Sequence, residues 1–272
     1  GRSNMRARIR VLFLGDVIGR PGRRILARHL GDLRKELQPD VIIVNAENAA
    51  GGAGLTAEVA QELLAMVDVL TSGNHIWDKK EGLPYLETEP RVLRPANYPP
   101  GNPGRGEYLF LIEESIPVAI VNLQGRVFME PIDCPFRAAD EIVGRLRDIT
   151  PNIVVDFHAE ATSEKQALGW YLDGRVSAVV GTHTHVPTAD ERILPRGTAY
   201  ITDVGMVGAR DSVIGIRSDQ ALARFLTGRP QRFEPAKQGA ILSAFWIEIE
   251  TRTGLATAIR RLLISEDIKQ DE

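Results

Sequence analysis

One cysteine in 272 residues excludes an internal disulfide framework. Cys134 stands in "IDCPF" with no Cys/His cluster beside it, which reads as a small buried hydrophobe in a protein of a reducing cytosol. No apolar run approaches the roughly 18 to 20 residues needed to span a bilayer. The opening "GRSNMRARIR" lacks the apolar core of a secretory signal, so the expected location is cytoplasmic, with no membrane partner. Positive charge is not in excess either. Lys plus Arg number 33 against 36 Asp plus Glu, a net charge of −3, and aromatics make up only 6%. That balance offers neither a broad basic field nor a basic–aromatic platform, and stable nucleic-acid binding is not expected. A phosphate-bearing substrate would need a local positive centre, which bound metal ions could supply. Composition neither requires nor excludes a homo-oligomer.

The residues that are present, 43% hydrophobic and 25% charged, are ordinary for a globular protein. We read residues 5–272 as a single domain and Gly1–Asn4, ahead of Met5, as an expression remnant outside the fold. "RVLFLG" is a buried strand, and Pro21 then opens a helix with Ile25, Leu26, Leu30, Leu33 and Leu37 on one face. "DVIIVN" is a second strand, Thr56 caps the helix "AEVAQELLAMV", and "DVLTSG" is a third strand. A hairpin in "EYLFLIEESIPVAIVNLQG" should turn around Ser115–Pro117. Further helix–strand alternation leads through "NIVVDFH" and "VSAVVGTHTH" to a closing antiparallel pair that meets near Thr253–Gly254. The expected class is α/β, with a mixed-sheet core of two packed sheets covered by helices.

Five apolar runs are each followed by metal-capable side chains. They give Asp16; Asn45, Glu47 and Asn48; Asn74 and His75; His158 and Glu160; and His183 and His185. Four of the five histidines fall in these places. Carboxyl ends of parallel strands share one edge, where α/β proteins bind ligands, so groups far apart in sequence would converge. Any one cluster could be a helix cap, a polar turn or a satisfied histidine; five together point to a two-metal hydrolytic centre. Carboxylate, amide and imidazole donors without thiolate suit Mn, Fe or Zn. A hydroxide held between the ions would attack phosphorus in line. His29 lies inside a helical pattern and reads as structural. "GDVIGRPGRR" lacks a GK[ST] ending and is no triphosphate loop, although Arg20 or Arg23 could touch a substrate. "DVGMVGARDSVIG" is expected to rim the site.

In this order, GD, an acidic strand end, GNH, an isolated His and GTHTH resemble the calcineurin-like metallophosphoesterase superfamily. "GDVIGRPGRR", "NAENAAGG", "SGNHIWD", "DFHAEATSEK", "VGTHTHVPTAD" and "TDVGMVGARDSVIG" narrow the resemblance to its YmdB-like branch, over about Arg10 to Ile264. The departures from the broad pattern, Ile18 where a DxH motif has His and Glu47 in place of a bridging Asp, agree with that branch. The resemblance implies a four-layer α/β/β/α sandwich with two mixed sheets. It implies one metal on Asp16, Glu47, Asn48 and His185 and a second on Glu47, Asn74, His158 and His183, with Glu47 bridging. It further implies His75 as general acid, a di-iron or manganese centre, and hydrolysis of 2′,3′-cyclic nucleotides to 3′-nucleotides. Rival readings are a metal-dependent phosphomonoesterase or other phosphodiesterase, or a nucleotide-binding regulatory protein with little turnover.

Overall fold

A computed structural model describes residues 6–269; the expectation for residues 1–4 lies outside them. The strands run in chain order as β1 (Arg8–Leu14), β2 (Asp16–Val17), β3 (Val41–Asn45), β4 (Val69–Thr71), β5 (Glu107–Ile112), β6 (Ile116–Gln124) and β7 (Ile153–His158). They continue as β8 (Ala178–Thr182), β9 (Arg192–Ile193), β10 (Ala199–Ile201), β11 (Met206–Gly208), β12 (Gln238–Glu250) and β13 (Ala256–Lys269). One sheet has the order β2-β11-β12-β1-β3-β4, with β13 also paired to β12; the other has β5-β6-β7-β8-β10-β9. Within them β1, β3 and β4 are parallel, as are β6, β7, β8 and β10. The longer antiparallel pairings, β12 with β1 and with β13 and β5 with β6, complete two mixed sheets.

Strand periodicity explains the layering. Val11 and Phe13 face between the sheets, where they meet Val118, Ile120, Val154 and Val180. Their neighbours Leu12 and Leu14 face outward onto Leu26, Leu30 and Leu33 of α1 (Gly19–Leu37). On the other flank, Val121 and Val155 are covered by α4 (Pro135–Leu146) and α5 (Thr162–Leu172) through Val143 and Leu168. Alternate residues of one strand therefore belong to different cores. The result is helix, sheet, sheet, helix. α2 (Ala57–Leu64), α3 (Leu83–Thr88) and α6 (Ser218–Thr227) complete the helices among the described residues.

Local signals decide several boundaries. Thr56 caps α2 by accepting from the Val59 N–H at 3.2 Å. Pro21 lies inside the first turn of α1, which begins two residues earlier at Gly19. The hairpin turns earlier than expected, at Glu113 and Glu114, whose left-handed φ values of 50° and 58° match the twist of a tight hairpin. Ser115 and Ile116 then lead directly into β6. Cys134 is another correction: it is only half-buried and precedes α4 as its N-cap residue, because Pro135 at the first helical position fixes the chain there.

Candidate metal centre

The parallel strands end on a common edge, and the sequence places its metal-capable groups there. Asp16 opens β2, Glu47 and Asn48 follow β3, and Asn74 and His75 lie in a tight helical turn after β4. His158 ends β7, and His183 and His185 follow β8. Glu47, His158 and His183 form one group; Asp16, Glu47 and His185 form another. In each group one ligand atom per residue lies within 4.8 Å of the others, and Glu47 belongs to both.

Hydrogen bonding fixes which atom each side chain presents. The Ile214 carbonyl can only accept, so His185 donates to it from Nδ1 at 2.8 Å. Its Nε2 then faces Asp16 Oδ2 at 3.1 Å. Thr182 donates its one hydroxyl hydrogen to Asp156 Oδ1 at 2.6 Å, so its oxygen accepts from His158 Nδ1 at 2.8 Å. That points His158 Nε2 inward, 2.7 Å from Glu47 Oε1 and 3.1 Å from His183 Nδ1. His183 in turn gives Nε2 to Glu160 at 2.7 Å. Donor atoms this close need a positive charge between them, a proton in the metal-free protein or a metal ion in its place. Ligands at right angles, each about 2.1 Å from a metal, stand about 3 Å apart. The observed separations fit that geometry.

Unmet oxygens give the same answer. Asp16 Oδ1 and Oδ2, Glu47 Oε1, Asn48 Oδ1 and Asn74 Oδ1 are buried without a hydrogen-bond partner. Buried oxygens in native proteins are almost always paired, and five orphans in one spot mark a place for cations. Asn48 donates from Nδ2 to the Gly52 carbonyl at 3.0 Å, which turns its Oδ1 inward. The donor set therefore fits two metal ions.

Charge follows burial and proximity. Burial would raise the Glu47 carboxyl, but adjacent His158 brings it down to about 2. Burial would lower His185, yet Asp16 holds it up at about 9. Burial, then His158, pushes His183 down to about 4, so its ring is neutral near pH 7. Asp156, fully buried, rises to about 6 despite His158 and its three polar partners.

Gly73 lets this happen. A Cβ there would lie 1.9 Å from His158 Cδ2 and 2.2 Å from Nε2, so only glycine admits the imidazole. His75 stands at the edge of the centre. Its backbone N–H donates to Glu47 Oε2 at 2.8 Å, its Nδ1 meets Asp78 Oδ2 at 2.7 Å, and its side chain is 40% exposed.

Some sequence expectations fall elsewhere. Asn45 holds the two sheets together by donating to Asp156 at 2.9 Å, and its Oδ1 accepts from the Glu47 N–H at 3.2 Å rather than facing the centre unpartnered. His29 lies against Glu266 at 3.2 Å. Arg23 is engaged with the Ala49 carbonyl and Glu62, while Arg20 is exposed. The expected rim is divided: Met206–Gly208 is buried strand β11, because it pairs with β2 and β12, whereas Asp203 before it bonds Thr184 and the stretch after it reaches His185 through the Ile214 carbonyl. Asp156 and Thr182, which orient His158, carried no separate sequence signal because both sit inside apolar strands.

The YmdB-like protein family matches residues 12–262. The chain belongs to that family. Its two mixed sheets form the calcineurin-like metallophosphoesterase fold, in the YmdB-like branch. A relative from Bacillus subtilis (strain 168), a 2′,3′-cyclic-nucleotide 2′-phosphodiesterase, is 48% identical over 260 residues, covering 95% of this chain and 98% of the relative. The crystal structure of a hypothetical protein from Thermus thermophilus superposes with a TM-score of 0.89 at 47% identity, covering 95% of this chain and all of the other. A novel phosphatase from Mycoplasma pneumoniae superposes with a TM-score of 0.90 at 38% identity, covering 97% and 95%. No helix among the described residues is long and apolar enough to cross a membrane.

Proposed function

We propose that this protein hydrolyses 2′,3′-cyclic nucleotides to 3′-nucleotides at a dinuclear metal centre. The observation that carries it is the pair of ligand groups that share Glu47. Asp16, Glu47, Asn48 and His185 would hold one ion, and Glu47, Asn74, His158 and His183 the other. The oxygen and nitrogen donors, with no thiolate, suit iron, manganese or zinc, and the family resemblance favours iron or manganese among them. When bound, such ions neutralise phosphoryl charge and make water nucleophilic near neutral pH.

The chain's own contribution is orientation and proton transfer. Thr182, Glu160 and the Ile214 carbonyl hold the three imidazoles so that the correct nitrogen faces inward. Asp78 accepts from His75 Nδ1, which leaves Nε2 to deliver a proton to the departing ribose O2′. Cleavage of the phosphorus–O2′ bond leaves the phosphate on O3′. A lone free cysteine, half-buried Cys134, is consistent with a reducing compartment and supports a cytoplasmic site of action.

The test is a substrate panel. Manganese- or iron-loaded protein is given 2′,3′-cAMP, 3′,5′-cAMP and p-nitrophenyl phosphate at equal concentration, and kcat/KM is compared. The cyclic 2′,3′ ester should be the fastest. A preference for the simple monoester would reject the proposed substrate and favour a phosphomonoesterase.

A further inference from the structure

Lys165 and Asp203 form an ion pair at 2.9 Å, with each side chain 1% exposed, and neither belongs to a ligand group. Replacing a buried ion pair with apolar side chains of similar volume is often neutral or stabilising. Stability alone therefore does not account for a fully buried lysine here.

Its surroundings do. Asp203 Oδ2 accepts from the Thr184 N–H at 3.0 Å and from Thr184 Oγ1 at 2.7 Å, as well as from Lys165 Nζ. Its other oxygen accepts from the Gly205 N–H at 2.8 Å. Thr184 stands between His183 and His185, whose φ values of 102° and 68° lie where side-chain-bearing residues are rarely found. Such a backbone persists only when its surroundings enforce it. Asp203 grips the loop at its middle residue, by both backbone and hydroxyl. Lys165, in the first turn of α5, supplies the buried partner charge that holds Asp203 Oδ2 at 2.9 Å.

We propose that the Lys165–Asp203 pair is a positioning device that holds the His183–His185 loop in its ligating shape for both metals. The proposal rests on the dinuclear reading of the centre. His183 belongs to one ligand group and His185 to the other, so a loop released at Thr184 loosens both together. Without Lys165 the buried carboxylate loses the partner that fixes Oδ2 in place, and its hold on the two Thr184 donors weakens.

Metal affinity tests this without reference to turnover. Metal-free protein is titrated with Mn²⁺ against a chelating dye, with circular dichroism and melting of the same metal-free samples. The wild type should bind two ions per chain. Lys165→Met should lose about tenfold or more in affinity at both sites, and Lys165→Arg should recover most of it. Thr184→Ala deletes only the hydroxyl contact and should weaken both sites by a smaller factor, which keeps the test open if Lys165→Met does not fold. Folded Lys165→Met, or Thr184→Ala, holding two ions with wild-type affinity overturns the proposal, as does a loss confined to one site. Wild-type protein that binds no manganese overturns the dinuclear reading and this proposal with it; two ions in the wild type and unchanged affinity in the variants overturns this proposal alone.

Discussion

Glu47 is the residue on which the two ligand groups meet, and it has no hydrogen-bond partner on Oε1 to hold it otherwise. Substituting it should therefore differ in kind from substituting an outer ligand. Glu47→Gln is expected to lose both metals together, and Asp16→Asn to weaken chiefly the site it shares with His185. Metal content after dialysis separates the two; full, equal occupancy in both variants contradicts the ligand assignment. His185 adds a pH dependence. Held up at about 9 by Asp16, its imidazole is protonated in the metal-free protein at neutral pH. Its raised value stabilises the metal-free fold below about pH 6.5, the unfolded pKa, and that contribution is lost as pH climbs through about 9. Binding a metal at Nε2 requires that proton to leave. Metal affinity should accordingly rise between about pH 6.5 and 9, with proton release measurable in weakly buffered titrations. No proton release there would show that His185 does not ligate.

At the scale of elements, what matters is that a strand carries ligand, orienting group and core residues on fixed faces. In β7, Val154, Asp156 and His158 share the inter-sheet side, so the same pleat that buries Val154 brings His158 to the metal edge and Asp156 one step behind it. β8 lies parallel beside β7, with His158 in register with Thr182, and that pairing brings the hydroxyl to the imidazole. Thr182→Val removes the acceptor for His158 Nδ1 with little change in volume. We expect metal affinity at the His158–His183 site to fall by about 10- to 100-fold while the fold is retained; unchanged affinity would show that the relay does not orient His158. These pairings also explain what the sequence could reveal. His158, His183 and His185 stood out because each follows an apolar run. Asp156 did not, since one carboxylate inside "IVVDFH" acquires a role only once strand order sets it beside Thr182 and Asn45. Lys165 and Asp203 stand in two separate motifs, "DFHAEATSEK" and "TDVGMVGARDSVIG", 38 residues apart, and only the fold shows that they pair. The hairpin turn, expected around Ser115–Pro117, begins two residues earlier because the two left-handed glutamates make it.

Across the whole molecule, three separate hydrophobic cores hold four layers together, and the ligands lie at the edge of those layers. The helix–strand alternation and buried strands were legible from periodicity, because burial on alternate faces writes itself into every strand. Sheet order was not, since β12 reaches across the chain to pair with β1 near the opposite terminus. The net charge of −3 makes no contribution to drawing in an anionic ester, so the attraction must come from the centre itself. That places the chemistry on a few groups, and the proposed function gives proton transfer to His75 at the edge of the centre. The decisive measurement is turnover of 2′,3′-cAMP by protein of known metal content, with the product identified, in the wild type and in His75→Ala. We expect 3′-AMP from protein with two metals per chain, and in His75→Ala the same metal content with kcat lower by about 10²- to 10⁴-fold. Two bound metals without turnover in the wild type, or wild-type turnover in His75→Ala, would contradict the proposed chemistry.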